Sequence, residues 1–372
     1  MFPTMKSASR VNGYLFCVLL VGMLIYSIPA VTRFAGQQTE AAALFLDGKL
    51  LRKFETTYDK EFFLREPSIQ LWASLQYALF GEGASGVVIG RDGWLYTNQE
   101  YLIPNNYRKN LRNQVERIAE IRELLREHGK TLIVAPLPMK LDIYPEYAER
   151  PWHPQVPHVY EDFLSELQAR GIDTVPLREA FLAEKEKTQD APLFFKKDTH
   201  WTPEGARLAA QQIARQRPEL VGSVPFQNKV VDQKPLKNDL MNFIRFDPSL
   251  DPELFAEPTE VPVYETLAED TTADDSDALF GDQNQSIMLV GTSYTKIEDW
   301  NFAGFLREAL KNDLLTIAVE ARGPFHAMDE FVKGGYLEDS NIKQVIWEFP
   351  VRTVLAQRPN AKSWQGALSN SF

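Results

Sequence analysis

The chain has 372 residues, with 40 lysines and arginines against 51 aspartates and glutamates, a formal net charge of −11. Hydrophobic residues make up 44% and charged residues 24%, which excludes a disordered chain, a collagen-like chain and a polytopic membrane protein. The acidic balance argues against a nucleic-acid binder, and one cysteine excludes an intrachain disulfide framework and a cysteine-rich zinc site.

Residues 11–32 carry no charge, a run long enough to cross a bilayer once as a helix. Lys6 and Arg10 precede it and Arg33 follows. The basic flank is expected to stay in the cytoplasm, so the C-terminal bulk is exported. A cleaved signal peptide is the rival, but its best cleavage site, Ser27-Ile28-Pro29-Ala30, places bulky Ile28 where a small residue is preferred. Cys17 is an apolar residue of this run. The expected organisation is therefore a cytoplasmic tail at 1–10, a transmembrane signal-anchor at 11–32 and one exported domain at 33–372. The bulk of the chain is expected outside the cytoplasm, tethered to the membrane by this helix.

Residues 38–80 are amphipathic and helical in pattern, with Phe54, Phe62, Phe63 and Trp72 among them. Two short apolar runs flank Asp92-Gly93, a hairpin signal. Residues 105–128 predict a helix with Leu111, Val115, Ile118, Ile121 and Leu125 on one face, and Gly129 ends it. Thr131–Ala135 reads as a buried strand. Helices then follow at 157–169 and 177–187, with a short strand at Asp173–Val175 between them and a strand candidate at Leu193–Phe195. Pro203 opens a helix to about Gln216, and Pro218 stops it. Strands at Ser286–Val290, Leu314–Val319 and Gln344–Glu348, with a helix around Trp300–Leu310, complete the set. Strands alternating with helices predict an α/β fold, a parallel sheet with helices on both faces. Residues 247–285, rich in proline and acid and including Asp274, Asp275 and Asp277, read as a long solvated insertion or flap.

Two segments can carry chemistry. In Asp198-Thr199-His200-Trp201-Thr202-Pro203 a carboxylate stands two residues from an imidazole, just before a helix. Such a carboxylate can fix the histidine tautomer and stabilise the imidazolium. A helix cap with a surface histidine gives the same pattern. In Gly291-Thr292-Ser293-Tyr294-Thr295 a serine follows a buried strand in a glycine-containing turn, where hydrolase folds expose a nucleophile beside backbone N–H groups. A simple helix cap at Ser293 or Thr295 is the alternative. Together the segments supply serine, histidine and aspartate, the set for nucleophilic acyl transfer. Each is expected at a strand-to-helix junction on one sheet edge. The five histidines make no His-x-x-x-His pair, and neither a Walker A pattern nor GxGxxG occurs, so no metal and no cofactor are expected.

These residues resemble the alginate O-acetyltransferase family of AlgJ/AlgX type, an SGNH-hydrolase-like group of the Gram-negative envelope. The resemblance is carried by Gly90-Arg91-Asp92-Gly93-Trp94-Leu95-Tyr96, Pro136-Leu137-Pro138-Met139-Lys140 with Tyr144, Asp198-Thr199-His200-Trp201, Gly291-Thr292-Ser293, and Trp347-Glu348 with Arg352. Asp and His precede Ser, a permuted order that the family shares. The resemblance implies an SGNH-like sheet and a catalytic trio. Ser293 is the nucleophile that carries acetyl, His200 the base and then the acid, and Asp198 the residue that orients His200. The Ser293 N–H is the expected oxyanion donor, with Gly291 or Thr292 as a second. Tyr294, Lys140, Arg322 and Arg352 are candidates for contacting substrate or shaping the site, while Trp94, Trp201 and Trp347 are expected in the core. The implied partners are a polysaccharide acceptor of alginate or cellulose type, a multipass membrane O-acyltransferase that supplies acetyl, and other exopolysaccharide secretion proteins. A polysaccharide acetylesterase, or an anchored non-catalytic component, would carry the same sequence features.

Overall fold

The computed structural model describes residues 8–37, 41–188, 191–256, 258–269, 286–320 and 323–355. They fall into two units that divide at Leu75.

In the first unit, α1 (Ala8–Gln37) is followed by α2 (Ala41–Leu46), α3 (Lys49–Glu61) and the start of α4 (Arg65–Phe80). Over Arg10–Gln37, α1 is long and apolar enough to cross a membrane. Most of its apolar side chains are exposed, whereas Phe34 is buried. Helix α3 packs back along α1. The Phe34 and Phe54 rings lie 5.3 Å apart, and the Tyr58 and Ser27 hydroxyls meet at 2.7 Å. Residues 41–75 group with the apolar helix.

The second unit opens with β1 (Val87–Ile89) and β2 (Leu95–Thr97), an antiparallel hairpin. Asp92 (φ 54°) and Gly93 (φ 73°) form its turn, in the left-handed pair that suits strand twist. Helix α5 (Tyr107–Glu127) buries the face expected from its spacing, Leu111 through Leu125. Then come β3 (Thr131–Leu137), the short α6 (Lys140–Ile143), α7 (Val159–Ala169), β4 (Asp173–Thr174), α8 (Arg178–Lys187) and α9 (Pro203–Gln216). Thr202 caps α9, its hydroxyl accepting the Gly205 N–H, and Pro203 occupies the first turn, where no N–H is missed. Next are β5 (Phe226–Pro235), β6 (Glu260–Ala268), β7 (Ser286–Gly291), α10 (Ser293–Lys296), α11 (Phe302–Leu310), β8 (Leu314–Ala318), α12 (Phe325–Lys333) and β9 (Ile342–Pro350).

The main sheet has the order β4-β3-β9-β7-β8, and all its pairings are parallel. Its middle strands are buried apolar runs, as a sheet covered on both faces requires. Trp94, Trp201 and Trp347 are in the core, as expected.

Two expectations change. Leu193–Phe195 is no strand of the sheet. These buried residues fold onto their own neighbours: Phe194 bridges Trp201, and the Phe195 N–H donates to the His200 carbonyl at 3.1 Å. Local pairing satisfies them without a sheet edge. The expected flap at 247–285 is also partly ordered. Strand β6 pairs with β5 as an antiparallel ribbon, and Leu254 and Val261 are buried. Asp274, Asp275 and Asp277 lie outside the described residues.

Candidate active site

Strand β7 ends at Gly291 and the chain turns at once into α10, whose first residue is Ser293. Asp198 and His200 arrive by a different route from the one expected, on the tight loop that Phe194 and Trp201 close rather than at the exit of a sheet strand. The loop still delivers them to the same end of β7.

The three side chains form one hydrogen-bonded line. Asp198 Oδ1 lies 2.6 Å from His200 Nδ1, and His200 Nε2 lies 2.8 Å from Ser293 Oγ. A carboxylate can only accept, so Nδ1 carries the proton and Nε2 is left to accept from the serine hydroxyl. Asp198 and His200 are both buried. Burial works against the Asp198 charge, but the His200 hydrogen bond and charge, with N–H groups of Asp239 and His200, outweigh it. The carboxyl is held below its usual range.

The aspartate is itself braced. Its Oδ2 accepts the Asp239 N–H at 2.7 Å, and the Asp239 carboxylate accepts the Thr199 N–H at 2.8 Å and the Thr199 hydroxyl. Burial, then the charge of Asp198, push the Asp239 carboxyl up. Asp198, His200 and Asp239 offer ligand atoms within 4.8 Å of one another. Each carboxylate oxygen of that group already faces an N–H or O–H donor, so the geometry is that of a hydrogen-bond network. Trp300 stacks on the imidazole, with ring centroids 4.6 Å apart and 21° between planes. Its Nε1–H donates to the Tyr294 carbonyl.

The remaining candidates separate by what they touch. Lys140 is buried, and its Nζ donates to the carbonyls of Phe195, Lys196 and Asp198 at 2.8, 3.0 and 2.9 Å. It stitches the aspartate loop shut, and burial pushes its ammonium down to about 8. Arg352 Nη1 donates to the Tyr294 hydroxyl at 2.8 Å, which donates to the Thr199 carbonyl at 2.5 Å. Lys140, Tyr294 and Arg352 therefore make these contacts inside the protein, and Arg352 Nε is buried without a hydrogen-bond partner among the described residues. Thr292 is not an oxyanion donor, because its N–H donates to Glu348 Oε2 at 2.9 Å. Gly291 serves by close approach: a Cβ there would lie 2.7 Å from that same oxygen. The Ser293 N–H, first in its helix, has no acceptor among the described residues. Arg322 lies outside the described residues.

Sequence reasoning missed the roles of Glu100, Asp239, Trp300 and Glu348. Glu100 accepts the N–H groups of Lys140 and Leu141. Only three-dimensional proximity reveals these four, although Glu348 stood beside Trp347 in the motif set. A cavity of about 710 Å³ lies between α8 and α9, lined by Glu184, Arg207, Gln211 and Arg215 among others, and holds none of the trio. The chemistry marks the site, not that cavity.

Comparison with known proteins gives the family. A family model described as "SGNH hydrolase-like domain, acetyltransferase AlgX" matches residues 87–351. The chain is 34% identical over 345 residues to the "Probable alginate O-acetylase AlgJ" of Pseudomonas syringae pv. tomato, covering 91% of this chain and 87% of that protein. The Pseudomonas aeruginosa protein of the same description is 35% identical over 363 residues, covering 93% and 90%. The solved O-acetyltransferase domain of Pseudomonas putida AlgJ superposes with a TM-score of 0.65 at 27% identity, covering 77% of this chain and 99% of that domain. By the family model over residues 87–351 and these relatives, the chain belongs to the SGNH hydrolase-like family of AlgJ/AlgX-type acetyltransferases.

Proposed function

We propose that the chain is a membrane-tethered O-acetyltransferase acting on an exported polysaccharide of the alginate type. The observation that carries the chemistry is the line from Asp198 through His200 to Ser293, with 2.6 and 2.8 Å links. The description of its relatives as alginate O-acetylases supports the acceptor.

In this mechanism His200 Nε2 takes the Ser293 proton as Oγ attacks the carbonyl of an acetyl donor. The Ser293 N–H faces the oxyanion. As the tetrahedral species collapses, His200 returns the proton to the departing group and acetyl stays on Ser293. A sugar hydroxyl then gives its proton to His200 and attacks the acetyl carbon, and the ester leaves with the sugar while Ser293 recovers its hydrogen. Asp198 keeps Nδ1 protonated throughout and stabilises the transient imidazolium. Helix α1 is the anchor, with its N-terminus in the cytoplasm and the second unit in the periplasm, beside the multipass acyltransferase that supplies acetyl and the other secretion proteins.

The test supplies a small acetyl ester and alginate oligosaccharides to the full chain in detergent and to Ser293→Ala. Acetyl on sugar is counted by mass spectrometry, alongside free acetate. Transfer that falls at least about 10³-fold in the variant is expected. Serine-dependent acetate release that leaves alginate unmodified would assign an esterase instead. Turnover unchanged by the substitution would end the acyl-serine mechanism.

A further inference from the structure

Glu348 is fully buried on β9, the strand between β3 and β7. The register pairs Val290 with Trp347, which brings Glu348 level with Gly291, where β7 gives way to the serine turn. Among the described residues, all its side-chain hydrogen bonds go to that turn. Oε2 accepts the Thr292 N–H at 2.9 Å and the Thr295 hydroxyl at 2.6 Å, while Oε1 accepts the Thr292 hydroxyl at 2.8 Å.

A carboxylate in a sheet core costs several kcal/mol unless hydrogen bonds offset it, and an apolar side chain would pack there at no such cost. Stability alone therefore gives no reason for a glutamate. The gain lies in geometry. Thr292, extended at φ −101° and ψ −159°, immediately precedes Ser293, and Thr295 lies two residues beyond it. Fixing both sides of the serine from a neighbouring strand leaves its Cα little freedom. Gly291 completes the arrangement, since a side chain there would occupy the space of the carboxylate and of Thr295.

We propose that Glu348 is the positioning residue of the nucleophile turn, holding Ser293 Oγ on His200 through Thr292 and Thr295. It does not touch the reacting atoms. By taking the Thr292 N–H it also withholds that group from the oxyanion, which leaves the Ser293 N–H as the donor on this turn. The proposal rests on Ser293 being the nucleophile.

The test measures kcat and KM with a small acetyl ester, and the rate at which phenylmethylsulfonyl fluoride labels Ser293 by intact mass, in the full chain. Glu348→Ala is expected to lower kcat and the labelling rate together by about 100-fold with KM little changed, since a displacement near 1 Å costs about that much. Glu348→Gln can place its oxygen at the Oε2 position and donate from its amide to the Thr292 hydroxyl. It is expected to stay within about tenfold of wild type. Thr295→Val removes one donor and is expected to cost about tenfold in both rates, which keeps the question decidable if the alanine variant does not fold. A folded Glu348→Ala or Thr295→Val with wild-type labelling overturns the proposal. So does a Glu348→Gln as slow as alanine, which would make the charge and not the geometry the point. Ser293→Ala separates the two levels: activity surviving there removes the nucleophile, whereas its loss with an unaffected Glu348→Ala removes only the positioning role.

Discussion

Gly291→Ala is a small change with a large expected effect. The added Cβ would lie 2.2 Å from Thr295 Oγ1, 2.5 Å from Thr295 Cβ and 2.7 Å from Glu348 Oε2. Comfortable contact needs about 3.5 Å, so the two side chains must retreat by roughly 1 Å. Rotating Thr295 about χ1 moves its hydroxyl but not its Cβ, so the overlap persists. The carboxylate cannot retreat without dropping donors, because Glu348 is fully buried among the three it holds. Overpacking of this kind costs about 1–3 kcal/mol, a Tm decrease of several degrees for a unit of this size. The same 1 Å, passed to Ser293, is expected to lower kcat by about 100-fold, or about 2.7 kcal/mol of barrier. Differential scanning fluorimetry and acetyl-ester turnover on the same preparation read both quantities. A Gly291→Ala protein with wild-type Tm and kcat would refute the packing on which the turn's rigidity depends.

Asp142 gives a pH-dependent stability prediction. Burial pushes its carboxyl up to about 7, and Oδ1 has no hydrogen-bond partner among the described residues. The folded state binds this proton more tightly than the unfolded chain, so the aspartate contributes less as pH rises from about 4 to about 7. Asp142→Asn is expected to stabilise at pH 8 by up to about 4 kcal/mol and to do little at pH 4, as urea melts at both values would show. Trp300→Leu removes the face that stacks on the imidazole. A stacked indole stabilises imidazolium by about 0.5–2 kcal/mol, so kcat is expected to fall about 2- to 30-fold with KM for a small ester unchanged. An unaltered kcat would deny the ring that role.

The trio was legible because its residue types are rare in combination and each sits beside a local signal, the proline that opens α9 for one pair and the glycine that ends β7 for the serine. The second tier was not. Asp239 lies 41 residues from the carboxylate it braces, and Glu348 lies 56 from Thr292, distances that only the fold closes. Leu193–Phe195 shows the limit of hydrophobic runs, which announce burial but not the partner. The Leu193 carbonyl accepts from Thr202 and Phe195 donates to His200, so pairing stays within ten residues. Glu260–Ala268 shows the converse. Pro262 and its acids read as loop, yet the pairing with β5 overrides them. The helix at Phe325–Lys333 escaped notice because its apolar face, Phe325, Met328, Phe331 and Val332, spans barely two turns.

The strand order has a temporal meaning as well. Strand β9 comes last among the five along the chain but lies at the centre of the sheet, pairing Thr131 with Gln344 on one side and Ile287 with Gln344 on the other. Until residues 342–350 have emerged, β3 and β7 have no neighbour in common and the carboxylate beneath the serine turn is absent. A long-range parallel insertion of this kind is intrinsically slow to form. Acylating capacity therefore switches on late, as the final strand slots in, and a chain halted during synthesis carries Asp198, His200 and Ser293 without the frame that aligns them.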